Sequence, residues 1–181
     1  DPERVHDLHM VIPSVSRPEH LNLFEKGMAS LLDFSYAGSQ SMRIAQMIED
    51  ETLRVGAIHT YVELYARLFI DLIPDICLVA ADEADPEGNL YTGPNTEETP
   101  TLVEATAFKN GIVIAQVNRI RDRVSRVDIP GDWVDFIVES PEPYEIKPLF
   151  TRDPRNITEL QILMAMMCIK GIYARHGVQS L

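Results

Sequence analysis

The sequence predicts an α/β fold: a doubly wound, mostly parallel β-sheet with helices on both faces. Three observations carry that expectation. Short apolar runs alternate with stretches of helical periodicity along most of the chain. Two of the runs, "DICLVAA" (75–81) and "GIVIAQV" (111–117), are apolar without alternation, the pattern of strands covered on both faces. Three of the helical stretches begin at Ser, Thr or Asn followed three residues later by Glu, a spacing that satisfies free amide groups at a helix start.

The elements follow in order. "VHDLHMVIPSV" (5–15) reads as a strand, and Ser16 with Glu19 reads as a capping box opening a helix that closes near Gly27. "LLDFSYAG" (31–38) is a strand, and 41–50 has apolar residues at helical spacing. "RVGAIH" (54–59) is a strand, and Thr60 with Glu63 caps the next helix. After "DICLVAA" comes a long polar loop. Thr99 caps a further helix, with Pro100 first inside it and Asn110-Gly111 at its close. "GIVIAQV", "VSRVDIP" and "WVDFIVE" are strands. A last helix starts at Asn156 and Glu159, is apolar on nearly every side and is expected to be well buried; Gly177 ends it. No repeat or linker divides the chain, so residues 1–181 read as a single α/β domain.

The chain of 181 residues is 45% apolar and 24% charged, an ordinary globular balance. A net charge of −12 disfavours nucleic acid and anionic membrane surfaces as partners, although one arginine or helix start can still hold a small anion. Cys77 and Cys168 both lie in apolar runs and read as reduced core residues. No apolar run reaches the roughly 18 residues of a spanning helix, and no leader opens the sequence, which fits a cytoplasmic setting. The first residue is Asp1 and the end carries no polar tail, consistent with a piece of a longer chain.

In a parallel sheet of this kind ligands bind beyond the carboxyl ends of the strands. Three polar loops are expected there: "PSVSRPE", "YAGSQS" and "ADEADPEGNLYTGPNTEETP" (81–100). "DPEGN" (85–89) has the composition of a tight turn, with Pro86 fixing φ, Gly88 allowing positive φ and Asp85 bonding amides. In "YAGSQS", Gly38, Gln40 and Ser41 leave backbone amides free to face an anion or carbonyl oxygen, or Ser39 or Ser41 simply caps a helix. His59 ends a strand at the same edge, as an acid–base group, a ligand donor or a hydrogen-bonded loop residue. His6 and His9 at i, i+3 point to opposite faces of a strand, which argues against a metal. Glu104 lies in a helix, where solvated glutamates are the norm. Neither a Ser-His-Asp set nor a phosphate loop nor GxGxxG is present.

The ordered set "DICLVAA", "ADPEGN", "GIVIAQVN", "RVDIPGDWVDFIV" and "LFTRDPR" resembles the α-type half of family I coenzyme A transferases. Within them it is most similar to malonate decarboxylase α subunits, with "GNLYTGPNTE" and "PLFTRDPR" at matching places. The resemblance implies an acyl-carrier-protein transferase that exchanges acetyl for malonyl on a carrier thiol. It implies malonate, acetate, an acyl carrier subunit and other decarboxylase subunits as partners. The coenzyme-A-like arm belongs to the carrier, so no cofactor is expected on this chain, nor a metal. In the wider family a glutamate carboxylate attacks the thioester; it belongs to the β-type half, so the catalytic residue is expected outside this chain and Glu104 is not assigned. The resemblance places Gly88 and Asn89 by the substrate, with Gly38, Gln40, Ser41 and His59 as neighbours by topology. A sugar-phosphate isomerase on a similar fold and a non-catalytic subunit-docking domain are the alternatives.

Overall fold

A computed structural model describes residues 2–93, 98–145 and 157–177. The chain forms two compact units, Asp1–Glu145 and Ile146–Leu181. In the first, β1 (Leu8–Ser14) leads through a 3-10 turn into α1 (Asn22–Glu25) and β2 (Ala29–Tyr36). Next come α2 (Ser41–Glu49), β3 (Arg54–Ile58), α3 (Tyr61–Leu68), β4 (Ile76–Ala84) and β5 (Leu90–Tyr91). α4 (Thr99–Ala107), β6 (Ile112–Ile120) and β7 (Phe136–Glu139) complete the unit. The second unit holds α5 (Glu159–His176).

The strands form two sheets, β1-β2-β3 and β5-β4-β6-β7. All pairings are parallel except β4 with β5. The expected α/β class and parallel arrangement are present, divided between two sheets instead of one.

The first sheet packs its core against helices. Leu32 and Phe34 of β2 pack with Leu21, Phe24, Ile44 and Met47 from the helical side. Burying side chains of this size removes roughly 1.5–3 kcal/mol of apolar exposure each. Arg43 of α2 ties that layer together, donating from Nη1 to Pro18 O at 2.8 Å and from Nη2 to Asn22 Oδ1 at 3.2 Å. α3 also packs against β2, with Leu64 and Leu68 fully buried.

The second sheet departs from expectation. Continuous apolarity predicted that β4 and β6 are covered on both faces. Instead Cys77, Val79 and Ala81 alternate with outward residues, as do Val113, Ala115 and Val117. The inward set packs with Val103 of α4, Leu90 and Ile129. The outward set includes Ile76, Leu78, Ile112, Phe136 and Val138, all exposed. An apolar run carries no sign of which face is covered, and within the first unit only one face is.

Five smaller expectations also change. Thr99 is the first residue of α4 and not its cap, and Glu98 before it makes no side-chain cap. Ser16 does not cap: the 3-10 turn Pro18–Leu21 follows Arg17 and has no side-chain cap. α5 is capped by Thr158 and Gln161 in a full capping box, two residues on from the expected pair, of which Asn156 lies outside the described residues. "VSRVDIP" contributes only an isolated bridge between Leu90 and Ile129, because Pro130 stops the run before a ladder can form. Every described residue of α5 is exposed, Cys168 among them, so neither the expected burial of that helix nor the core reading of Cys168 holds. Cys77 is buried as expected, and burial pushes its thiol up to about 11.

Candidate functional site

The turn after β4 is built around one buried carboxylate. Asp85 Oδ1 accepts from the Asn89 backbone N–H at 2.9 Å and Oδ2 from Asn89 Nδ2 at 3.2 Å. Asn89 then turns its Oδ1 outward to accept from Gly131 N at 3.0 Å. Gly88 has φ of +87°, the left-handed conformation that only glycine adopts without strain. Gly131 is needed for space: a Cβ there would lie 2.0 Å from Glu87 O. The 85–89 turn and the Pro130-Gly131 turn therefore touch backbone to backbone. The tight-turn reading describes residues 85–89 well; the clasp with Gly131 is what composition did not show.

Beyond it, Thr92 donates from both N and Oγ1 to Asp128 Oδ2, at 3.0 and 2.9 Å. Arg126 donates to the other oxygen at 2.6 Å and lies over the Tyr91 ring at 5.3 Å. Burial would raise the Asp128 carboxyl, but the bonds from Arg126 and Thr92 outweigh it and hold the group below the usual aspartate range. A carboxyl depressed in the folded state contributes stability above its unfolded value, lost as pH falls through the folded one. Asp128→Asn should remove that part of the acid-side loss, so unfolding midpoints measured in steps below the ordinary aspartate range will fall less steeply than in the parent. Equal slopes would sink the assignment. Residues 94–97 of this loop, and "PLFTRDPR" (148–155), lie outside the described residues.

The 36–41 loop stands at the carboxyl end of β2. Gly38 has φ of +51° and sits against the Tyr36 ring, where a Cβ would approach Cε1 to 2.9 Å. Ser41 Oγ donates to Gly38 O at 3.0 Å, and Gln40 Nε2 to Ser39 Oγ at 3.2 Å. The residue before α2 is Gln40, with no side-chain cap. A concave region of about 630 Å³ opens here, with Tyr36, Gly38, Ser41, Ile44, Ile48 and Ile58 among its lining residues.

His59 lies just past β3 with its side chain fully buried. Its Nε2 is 2.6 Å from Asp33 Oδ1, while His9 Nε2 is 2.7 Å from Asp33 Oδ2. Thr60 caps α3 as expected, accepting from Glu63 N at 3.1 Å. The Glu63 carboxylate approaches His59 Nδ1 at 3.7 Å.

The structure thus groups the six expected residues in three places. Gly38 and Ser41 share the wall of the concavity, with Gln40 beside them. Gly88 and Asn89 are engaged with Gly131, and His59 is held by Asp33. Sequence reasoning missed Asp33, Gly131 and Asp128. Asp33 had a signal: a lone carboxylate inside "LLDFSY" must be paired if the strand is buried. Gly131 had none, because its neighbour across the clasp is 44 positions away in "EGN".

The malonate decarboxylase α-subunit family model ("Malonate decarboxylase, alpha subunit, transporter") matches residues 1–181. The chain belongs to the malonate decarboxylase α-subunit family. An acetyl-S-ACP:malonate ACP transferase of Malonomonas rubra is 55% identical over all 181 residues. The α-subunit-family chain also superposes on a Pseudomonas malonate decarboxylase hetero-tetramer, solved in complex with malonate, with TM-score 0.87 and 64% identity over 99% of its length. It spans about a third of the length of both, 33% in each case. An acyl-CoA transferase apoenzyme of Escherichia coli O157:H7 shares the fold at TM-score 0.56, with 18% identity over 73% of this chain and 36% of its own. Among the described residues, no helix is long and apolar enough to cross a membrane.

Proposed function

We propose that this chain forms part of an acyl-carrier-protein transferase in which acetyl-carrier and malonate give malonyl-carrier and acetate. The carrier keeps its thiol, one acyl–sulfur bond breaks and another forms. The observation that carries this reading is the 55% identity to the Malonomonas rubra transferase along the whole chain. The polar turns at the carboxyl ends of β2 and β4 are the surfaces it contributes. The attacking carboxylate is assigned to no acid among these residues, Glu104 included. The coenzyme-A-like arm arrives on the carrier, so this chain holds no cofactor of its own. Other decarboxylase subunits and a cytoplasmic setting belong to the same proposal.

Its test uses the full-length protein with purified acetyl-carrier and labelled malonate. Label should move to the carrier, and Asn89→Ala, which releases the 85–89 turn from Gly131, should lower kcat/KM about tenfold. The 181 residues alone should give no turnover. Absence of transfer by the full-length protein would overturn the function; turnover by the 181 residues alone would overturn the assignment of the attacking group.

A further inference from the structure

The acids and histidines of the first sheet form a cluster that the acyl-transfer reading does not use. Asp33 is buried, at 3% exposure, between two imidazoles on either side of its strand. Each imidazole occupies a different oxygen, His59 on Oδ1 and His9 on Oδ2. Gly56 of β3 makes the room: a Cβ there would lie 2.2 Å from Asp33 Oδ2. The Nδ1 atom of His59 has no hydrogen-bond partner and faces Glu63 Oε1 at 3.7 Å. Arg67 and Asp71 of α3 and its C-terminal turn pair with each other, Nη2 to Oδ2 at 2.6 Å.

An ionised carboxylate only accepts hydrogen bonds, whereas a neutral imidazole donates from one nitrogen and accepts at the other. Two imidazoles that both turn Nε2 toward one ionised carboxylate both carry a proton on Nε2. We infer that Asp33 is a positioning residue that locks His9 and His59 together as Nε2–H tautomers. While the ring is neutral, His59 Nδ1 is therefore an acceptor, 3.7 Å from the Glu63 carboxylate in the first turn of α3. The inference is independent of the transferase reading.

The test is two-bond ¹⁵N–¹H correlation of the full chain labelled with ¹⁵N-histidine, in mildly alkaline buffer where free imidazole is neutral. His9 and His59 should both give the Nε2–H pattern. Asp33→Asn exchanges one acceptor oxygen for an N–H donor of the same shape. One of the two rings must then present a bare Nε2, and its pattern should change to Nδ1–H, while His6 and His20 stay as in the parent. A Nδ1–H pattern for His9 or His59 in the parent overturns the proposal, as does an Asp33→Asn protein with both rings unchanged. Gly56→Ala supplies a second arm if Asp33→Asn does not fold. Its Cβ presses on Oδ2, the oxygen His9 holds, so the His9 signals should shift further than those of His59. Equal shifts, or a shift of His59 alone, would count against the two-oxygen arrangement.

Discussion

Replacing Gly131 with alanine destabilises the first unit by about 3 kcal/mol, the upper range for forcing atoms into a filled site. The added Cβ would lie 2.0 Å from Glu87 O and 2.9 Å from Gly88 C. Both are backbone atoms, so no side-chain rotation relieves the contact, and one of the two turns must move. Either movement takes Gly131 N away from Asn89 Oδ1. Urea unfolding of the parent and variant measures the effect directly; coincident midpoints would show that the two turns are not in contact. Gly88→Ala serves as the comparison. There the demand is conformational as well, with φ at +87° and Gly131 Cα 3.2 Å away, and the expected loss is about 1–2 kcal/mol.

Asp85→Ala should cost about 2–3 kcal/mol, the range for removing a charged acceptor from buried donors. Asp85 is 4% exposed, so water cannot replace it fully at the Asn89 amide. The variant leaves both Asn89 donors without their acceptor and frees the side chain that reaches Gly131. Thermal unfolding gives the magnitude, and amide exchange at Asn89 gives the location. Exchange that stays as slow as in the parent would mean that Asp85 is not the group holding the turn. Asp85→Asn, which keeps one acceptor oxygen, should fall between the two.

Local chemistry made most of the elements of the fold readable. Thr60 caps α3, Gly27 and Gly177 take positive φ after their helices, and apolar runs mark β1, β2, β4 and β6. What local chemistry does not encode is which face of an apolar run meets another layer. Leu78 and Val79 are adjacent and equally apolar, yet one is exposed and the other buried, because α4 reaches only one side. The capping rule failed at Ser16, where Pro18 begins a 3-10 turn after Arg17. At the candidate site the sequence pointed to Gly88 and Asn89 through turn composition. It did not pair Asn89 with Gly131 or His59 with Asp33, since pairing across 42 positions from Asn89 and 26 from His59 is set by strand packing.

The outward layer of β4, β6 and β7 has a consequence for behaviour in solution. Ile76, Leu78, Phe136 and Val138 form an adhesive surface on a molecule whose formal charge is −12. Like charge keeps such molecules apart at low ionic strength, where the screening length is about 30 Å in 0.01 M salt, and that protection shrinks to about 3 Å in 1 M salt. For these 181 residues taken alone, dilute buffer is therefore expected to favour dispersed particles, and concentrated salt to let the oily layers meet.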